Sequence, residues 1–227
     1  MTSAVLTGSS RGIGRATALL LAERNVDLAL LGRPSPEHDR TVSEARALGV
    51  RVESIACDLR SPSDIGAAAR LVLGAYAAPD ALINNAAAIH RATVEETDLE
   101  QLDEQIEVNL RAPILLTRAL LGAMRFARKG RIVHVGSISS TLGTARSAAY
   151  NATKWGLVGF MKSLAEELSD SGLMTVAVLP GSVDTRMLED SGFTPRIGLE
   201  QIATTLVHYA LDAPLAHNGG VIEMFGT

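Results

Sequence analysis

The stretch "AVLTGSSRGIGR", residues 4–15, is a short apolar run that ends in a glycine turn and passes directly into helix-like sequence. Its glycines, Gly8, Gly12 and Gly14, are spaced G-x-x-x-G-x-G rather than the commoner G-x-G-x-x-G. Either spacing allows a tight turn, a close backbone approach to a pyrophosphate, and a helix N-terminus whose unpaired N–H groups face the anion. A glycine turn also serves plain strand–helix connections. What gives this one weight is its place after the first strand of an α/β pattern.

That pattern runs the length of the chain. Apolar runs at 4–6, 27–32, 50–56, 81–84, 131–135, 174–179 and 220–225 are mostly unbroken Val, Ile, Leu and Ala, as expected of strands buried on both faces. Between them lie candidate helices near 12–24, 37–48, 62–76, 98–126, 147–171 and 199–211. Strands alternating with helices predict a doubly wound α/β fold, a seven-stranded parallel sheet with helices on both faces. Ser61, Pro62 and Asp64 have the order of a helix cap, a first-turn proline and a capping-box acid, and Thr97 with Glu100 reads the same way. No linker, repeat or low-complexity tract divides the sequence, so residues 1–227 are expected to form one domain.

Composition narrows the function classes. The 227 residues are 47% hydrophobic and 20% charged, with a net charge of −4, which gives no reason to expect nucleic acid or an anionic membrane as partner. A single cysteine, Cys57, excludes an internal disulfide and suits a reducing compartment; with five histidines and no ligand spacing, no metal site is expected. No signal-like segment or membrane-length apolar run is visible, and a soluble cytoplasmic protein is expected.

In an open parallel sheet, ligands bind beyond the carboxyl ends of the strands. Gly8, then Gly32 and Arg33, Asp58, Asn84 and Asn85, Ser137, and Pro180 with Gly181 follow the first six strands in turn. Turn chemistry explains any one of these small and polar residues, but explains the set poorly. Two helices add residues that packing does not require. Leu99, Leu102 and Ile106 form an apolar stripe that Asn109 continues, and Pro113 lacks the N–H that would bond the Asn109 carbonyl. On the next helix Leu157, Met161, Leu164 and Leu168 form an inward stripe that extends back to Lys154 and Tyr150; a lysine on a buried face needs a reason.

With these residues in hand, the chain resembles the short-chain dehydrogenase/reductase family, whose Rossmann-type sheet has the predicted form. "TGSSRGIG" looks like the family's cofactor turn, "NNAA" (84–87) is close to its Asn-Asn-Ala-Gly, and "PGSVDT" (180–185) to its Pro-Gly-x-Val-x-Thr. The family's catalytic Asn, Ser, Tyr and Lys fall on Asn109, Ser137, Tyr150 and Lys154. Ser139 and Ser140 lie near, but the family's spacing of thirteen residues before the tyrosine selects Ser137. The resemblance assigns cofactor contacts to Gly8, Ser10, Arg11, Gly12, Ile13 and Gly14, to Arg33, Asp58 and Leu59, to Asn84 and Ala86, to Tyr150 and Lys154, and to Pro180, Gly181, Val183 and Thr185. Two departures stand out: Ala87 replaces a glycine, and the segment between Thr185 and Leu199 is shorter than the family's usual substrate cover.

The resemblance implies hydride transfer between a nicotinamide and a carbonyl or alcohol. A free tyrosine titrates near pH ~10, and a lysine ammonium one turn away favours its phenolate. Tyr150 would exchange the proton, Ser137 would bond the substrate oxygen, Lys154 would tune Tyr150 and hold the nicotinamide ribose, and the Asn109 carbonyl would hold a water. An NAD site usually has an acid at the end of the second strand. Gly32 and Arg33 stand there, with Arg11 in the turn, which favours NADP(H) over NAD(H); the rival reading has Glu37 or Asp39 reach back to the ribose. Asp58 would meet the adenine edge.

The motifs look most like 3-oxoacyl-acyl-carrier-protein reductases, and Arg125, Arg128, Lys129 and Arg131 form a basic cluster that could meet an acidic carrier unless Glu166, Glu167 and Asp170 offset it. Other small ketones, sugars, sterols or pterins stay open as substrates, as does a non-catalytic NADP(H)-binding regulator or scaffold. His90 and Arg146 are candidates to reach substrate; His134 reads as a packed residue. A homodimer or homotetramer through the two long helices is implied by the resemblance.

Overall fold

The structure is a computed structural model that describes residues 2–188 and 192–226. Seven strands form one all-parallel sheet: Ser3–Thr7 (β1), Asp27–Gly32 (β2), Val52–Ala56 (β3), Ala81–Asn84 (β4), Gly130–Val135 (β5), Leu173–Pro180 (β6) and Val221–Met224 (β7). Their order is β3-β2-β1-β4-β5-β6-β7. The helices are Gly12–Glu23 (α1), Pro36–Ala47 (α2), Pro62–Tyr76 (α3), Leu99–Ile106 (α4), Ala112–Ala127 (α5), Ala148–Glu167 (α6) and Leu199–Leu211 (α7). The expected doubly wound architecture is the one observed.

Successive side chains of a strand point to opposite faces, and here each face meets a core. Leu6, Leu28 and Leu30 pack with Leu21 of α1, Val42 of α2 and Leu206 of α7. Their neighbours Val5, Ala29 and Leu31 pack on the other face with Ile65 of α3, Leu116 and Leu120 of α5, and Leu164 of α6. Two apolar faces explain why these strands read as unbroken hydrophobic runs.

The predicted helix over 98–126 is interrupted. After α4, residues Glu107–Arg111 form a wide π turn, and the Ala112 N–H bonds back to the Glu107 carbonyl. Such π turns recur at functional positions; Asn109 lies inside this one and is fully buried. Two local expectations fail here. Asp98, not Thr97, caps α4, its side chain accepting from the Gln101 N–H at 3.0 Å, because a carboxylate adjacent to the first turn also complements the helix dipole. The stripe of Leu99 and Ile106 faces outward, while Gln105 and Asn109 are the buried positions. Ser61 caps α3 as expected, accepting from the Asp64 N–H at 3.2 Å.

Strand order reverses between β1 and β4, so a cleft opens beyond their carboxyl ends. Asn85 ties the two ends together. Its amide donates to the Thr7 carbonyl at 2.9 Å and to the Gly8 carbonyl at 3.1 Å, and its backbone N–H donates to Thr7 Oγ1 at 3.0 Å. Asn85→Ala leaves two carbonyls of the turn without that donor, and the expected loss is about 1–3 kcal/mol of stability. Urea unfolding of the variant against the wild type measures it.

Candidate active site

The glycine turn fits an anion. Gly8 and Gly12 have φ of +72° and +54°, a region costly for other residues. A Cβ on Gly8 would sit 2.9 Å from the Ala86 Cα, and one on Gly14 would collide with the Gly8 carbonyl. Arg11, at the N-cap of α1, supplies no side-chain cap, and the first turn holds no acid. The first N–H groups of α1 are thus left for a ligand, in the place where a dinucleotide's pyrophosphate would lie. Ile13 packs against the core below, and Ser9 beside Ser10 is buried against His38. Leu59, Asn84 and Ala86 line a narrow crevice beyond β1 and β4.

Tyr150 and Lys154, in the first turns of α6, are buried at 5% and 2% exposure. The Lys154 ammonium donates to the Val135 carbonyl at 2.9 Å and lies 5.7 Å from the Tyr150 ring centre. Burial pushes Lys154 down to about 8 and Tyr150 up to about 12. The groups that oppose burial at Tyr150 are the Ser137 hydroxyl and the charge of Arg91. Lys154 is not among the groups that lower Tyr150 here, and desolvation is the largest influence on it; the expected lowering is that of Lys154 together with an oxidised nicotinamide. Ser137 begins a short turn after β5 and accepts from the Ser139 N–H at 3.1 Å.

Asn109 acts through its side chain. Its Oδ1 accepts from the Ala88 N–H at 2.7 Å, and its amide donates to the Ala88 carbonyl at 2.8 Å and to Thr153 Oγ1 at 3.1 Å. It therefore locks the chain after β4 onto α6, one residue from Lys154. Ala87 is not among the residues of positive φ, so alanine stands at that position without backbone strain.

Other expected site residues take definite places. The Asn84 amide turns inward to Thr117 and to His134, whose pKa burial lowers to about 3, leaving the histidine neutral. Both Asp58 oxygens are bonded by Arg60, at 2.6 Å for the shortest contact, which holds its pKa at about 2. The guanidinium groups of Arg11 and Arg33 are exposed and make no hydrogen bond among the described residues. Glu37, in the first turn of α2, feels the charges of Arg186 and Arg11. The Pro180–Gly181 corner is held by the Gly181 N–H bonding Met224 at 2.8 Å, Val183 is buried and pairs with Ile197, and the Thr185 methyl leans on the Gly12 turn. Residues 189–191 of the short cover segment lie outside the described residues.

A family model described as "short chain dehydrogenase" matches residues 2–194. The chain belongs to the short-chain dehydrogenase family. As a family member it is an oxidoreductase. A 3-oxoacyl-[acyl-carrier-protein] reductase of Synechocystis is 30% identical over 227 residues, 96% of this chain and 92% of the relative. The Escherichia coli enzyme FabG, of the same name, is 32% identical over 86% of this chain and 79% of its own. A metagenomic short-chain oxidoreductase solved in complex with NADP superposes with a TM-score of 0.88 at 33% identity, covering 100% of this chain and 97% of the other.

Sequence reasoning missed two residues of this short-chain dehydrogenase site. Arg91 donates from Nη2 to the Met187 carbonyl at 3.0 Å, and the Tyr150 hydroxyl donates to Met187 Sδ at 4.0 Å. Arg91 lies in irregular chain beside His90, and Met187 in a single 3-10 turn, Arg186–Leu188; neither segment is long enough for periodicity to mark them. His90 itself turns away, to Glu104 at 2.7 Å. The basic cluster is also reduced: Lys129 pairs with Asp80, Arg125 bonds the Glu167 carbonyl, and Arg131 bonds that of Ala213.

A pH dependence follows from Lys154. An ordinary lysine keeps its proton to about pH 10.5, whereas folded Lys154 releases it near 8. Between those values the unfolded chain binds more protons than the folded one, so raising the pH adds stability. The wild type should therefore gain stability relative to Lys154→Met from pH 8 to pH 10, measured by urea unfolding. A constant difference contradicts the burial of this charge.

Proposed function

We propose that the chain is an NADP(H)-dependent reductase of carbonyl compounds, with a 3-oxoacyl thioester as its substrate class, working as one domain in the cytoplasm. The observation that carries this reading is the buried Tyr150–Lys154 pair, set with Ser137 at the sheet edge that also holds the uncapped glycine turn. The 3-oxoacyl reductases among its relatives support the substrate class, and the NADP-bound neighbour supports the cofactor.

When bound, the nicotinamide supplies or takes the hydride. The residues do the rest. Ser137 donates a hydrogen bond to the substrate carbonyl oxygen, and Tyr150 gives that oxygen its proton in the reducing direction. The cation of Lys154 favours the phenolate left behind, and proximity to a cationic ring strengthens that effect. Asn109 is a positioning residue, fixing Thr153 and the chain at Ala88. Arg33 and Arg11 would hold a 2′-phosphate, for which bidentate guanidinium bonding is well suited.

Association into a homodimer or homotetramer is supported by apolar residues that α4 and α6 leave uncovered. Leu99 is 74% and Trp155 54% exposed, and a groove of about 320 Å³ runs between α5 and α6 past Leu121, Phe160 and Leu164.

Two measurements test the proposal. Tyr150→Phe should lower reduction of a short 3-oxoacyl thioester by about 10²–10⁴-fold while NADPH still binds. Arg33→Ala should weaken NADPH at least about tenfold, the loss of one charge-assisted bond, with NADH little altered. A fully active Tyr150→Phe overturns the catalytic assignment, and equal weakening of both cofactors overturns the phosphate assignment.

A further inference from the structure

Met187 presents two acceptor atoms to the site at once. Its sulfur accepts from the Tyr150 hydroxyl, where a reacting carbonyl oxygen would be met, and its backbone carbonyl accepts from Arg91 at 3.0 Å. The residue thus sits where substrate would sit, and it satisfies two donors that face the same space. A ligand that displaces it and offers one acceptor only would leave Arg91 without a partner. One that offers two, a few bonds apart, would replace both contacts.

Arg91 is built in rather than loosely attached. The Ala92 N–H donates to the Arg146 carbonyl at 3.0 Å, and the His90 N–H donates to Gln105 Oε1 at 3.2 Å, so the backbone on both sides is pinned. Arg146 adopts φ of +60° in making its contact, a strained conformation beside the site. The Arg91 side chain is half-buried, and its bond to Met187 is its only hydrogen bond among the described residues. A guanidinium held this way keeps further N–H donors in a fixed fork.

We propose that Arg91 is a specificity-determining residue that binds the second oxygen of a 3-oxoacyl substrate, the carbonyl two carbons from the one reduced. In a 1,3-dicarbonyl the two oxygens are joined through three carbons, one fewer than the carbons that join the sulfur and carbonyl oxygen of Met187, so a short unit of this kind offers its two acceptors from one small group as Met187 does. The reduced oxygen takes the place of the Met187 sulfur at Tyr150, and the acyl oxygen takes the place of the Met187 carbonyl at Arg91. This rests on Tyr150 being the hydroxyl that meets the reacting oxygen.

The test compares ethyl 3-oxobutanoate, which has both oxygens, with 2-pentanone, which has one, using NADPH and the wild type, Arg91→Gln and Arg91→Lys. The wild type should prefer the oxoester by kcat/KM. Arg91→Gln should lose about tenfold or more of that preference, chiefly through KM, and Arg91→Lys, which keeps a donor and a charge, should recover part of it. A preference unchanged in Arg91→Gln, or an equal fall on both ketones, overturns the proposal. Reduction of the oxoester but not of an acyl-carrier thioester leaves Arg91 in its role and rejects the carrier substrate. If the wild type reduces neither ketone nor a short 3-oxoacyl thioester, the 3-oxoacyl reductase reading falls, and calorimetric binding of ethyl 3-oxobutanoate decides for Arg91. Binding that Arg91→Gln abolishes supports its role, and binding that is absent or equal in the two proteins overturns it.

Discussion

A lysine ammonium buried to 2% exposure, beside a tyrosine buried to 5%, is the constraint around which the sheet edge is organised. Its direct hydrogen bond is to the Val135 carbonyl, and burial alone accounts for its lowered pKa. No carboxylate offsets that cost among the groups acting on it. A stable fold would gain by placing a leucine there, as α6 does at Leu157 and Leu164. Retaining a cation on the inward stripe costs stability, and such costs are characteristic of functional sites.

The neighbouring structure holds that cation in register. Asn109 sits in a π turn that shifts the register of the helix at the place where its side chain must bond Ala88 on one side and Thr153 on the other. Asn85 performs the matching task across β1 and β4, bonding the carbonyls of Thr7 and Gly8. These two asparagines connect the glycine turn to the Tyr150–Lys154 helix, through the backbone of Thr7, Gly8 and Ala88 and through the Thr153 hydroxyl. The turn and the buried pair can therefore be placed independently in sequence and still meet at one edge.

Much of this was legible in the sequence. Unbroken Val, Ile and Leu runs mark strands with two covered faces, and each of the seven was located to within about two residues. The inward stripe of α6 extrapolated correctly to Tyr150 because that helix is regular. The same reasoning failed on α4, since periodicity shows which residues share a face but not whether anything covers it. Leu99 and Ile106 share a face that stays open, and the π turn carries Asn109 inward on its own account. Arg91 and Met187 were missed because their proximity arises from tertiary folding of an irregular segment and a single 3-10 turn, which leave no periodic trace. The burial that opposes ionisation of Tyr150 was illegible for a related reason: a charge one helical turn away is visible in sequence, whereas depth of burial is not.

The central claim is that burial keeps Tyr150 protonated until charge at the site draws its proton away. Ultraviolet difference titration, with Tyr150→Phe subtracted, measures this ionisation in the protein alone and with saturating NADP⁺. The account predicts a pKa near 12 for the protein alone, falling by about 1–3 pH units when the positively charged ring is present. Titration near the ordinary tyrosine value in both states would contradict it.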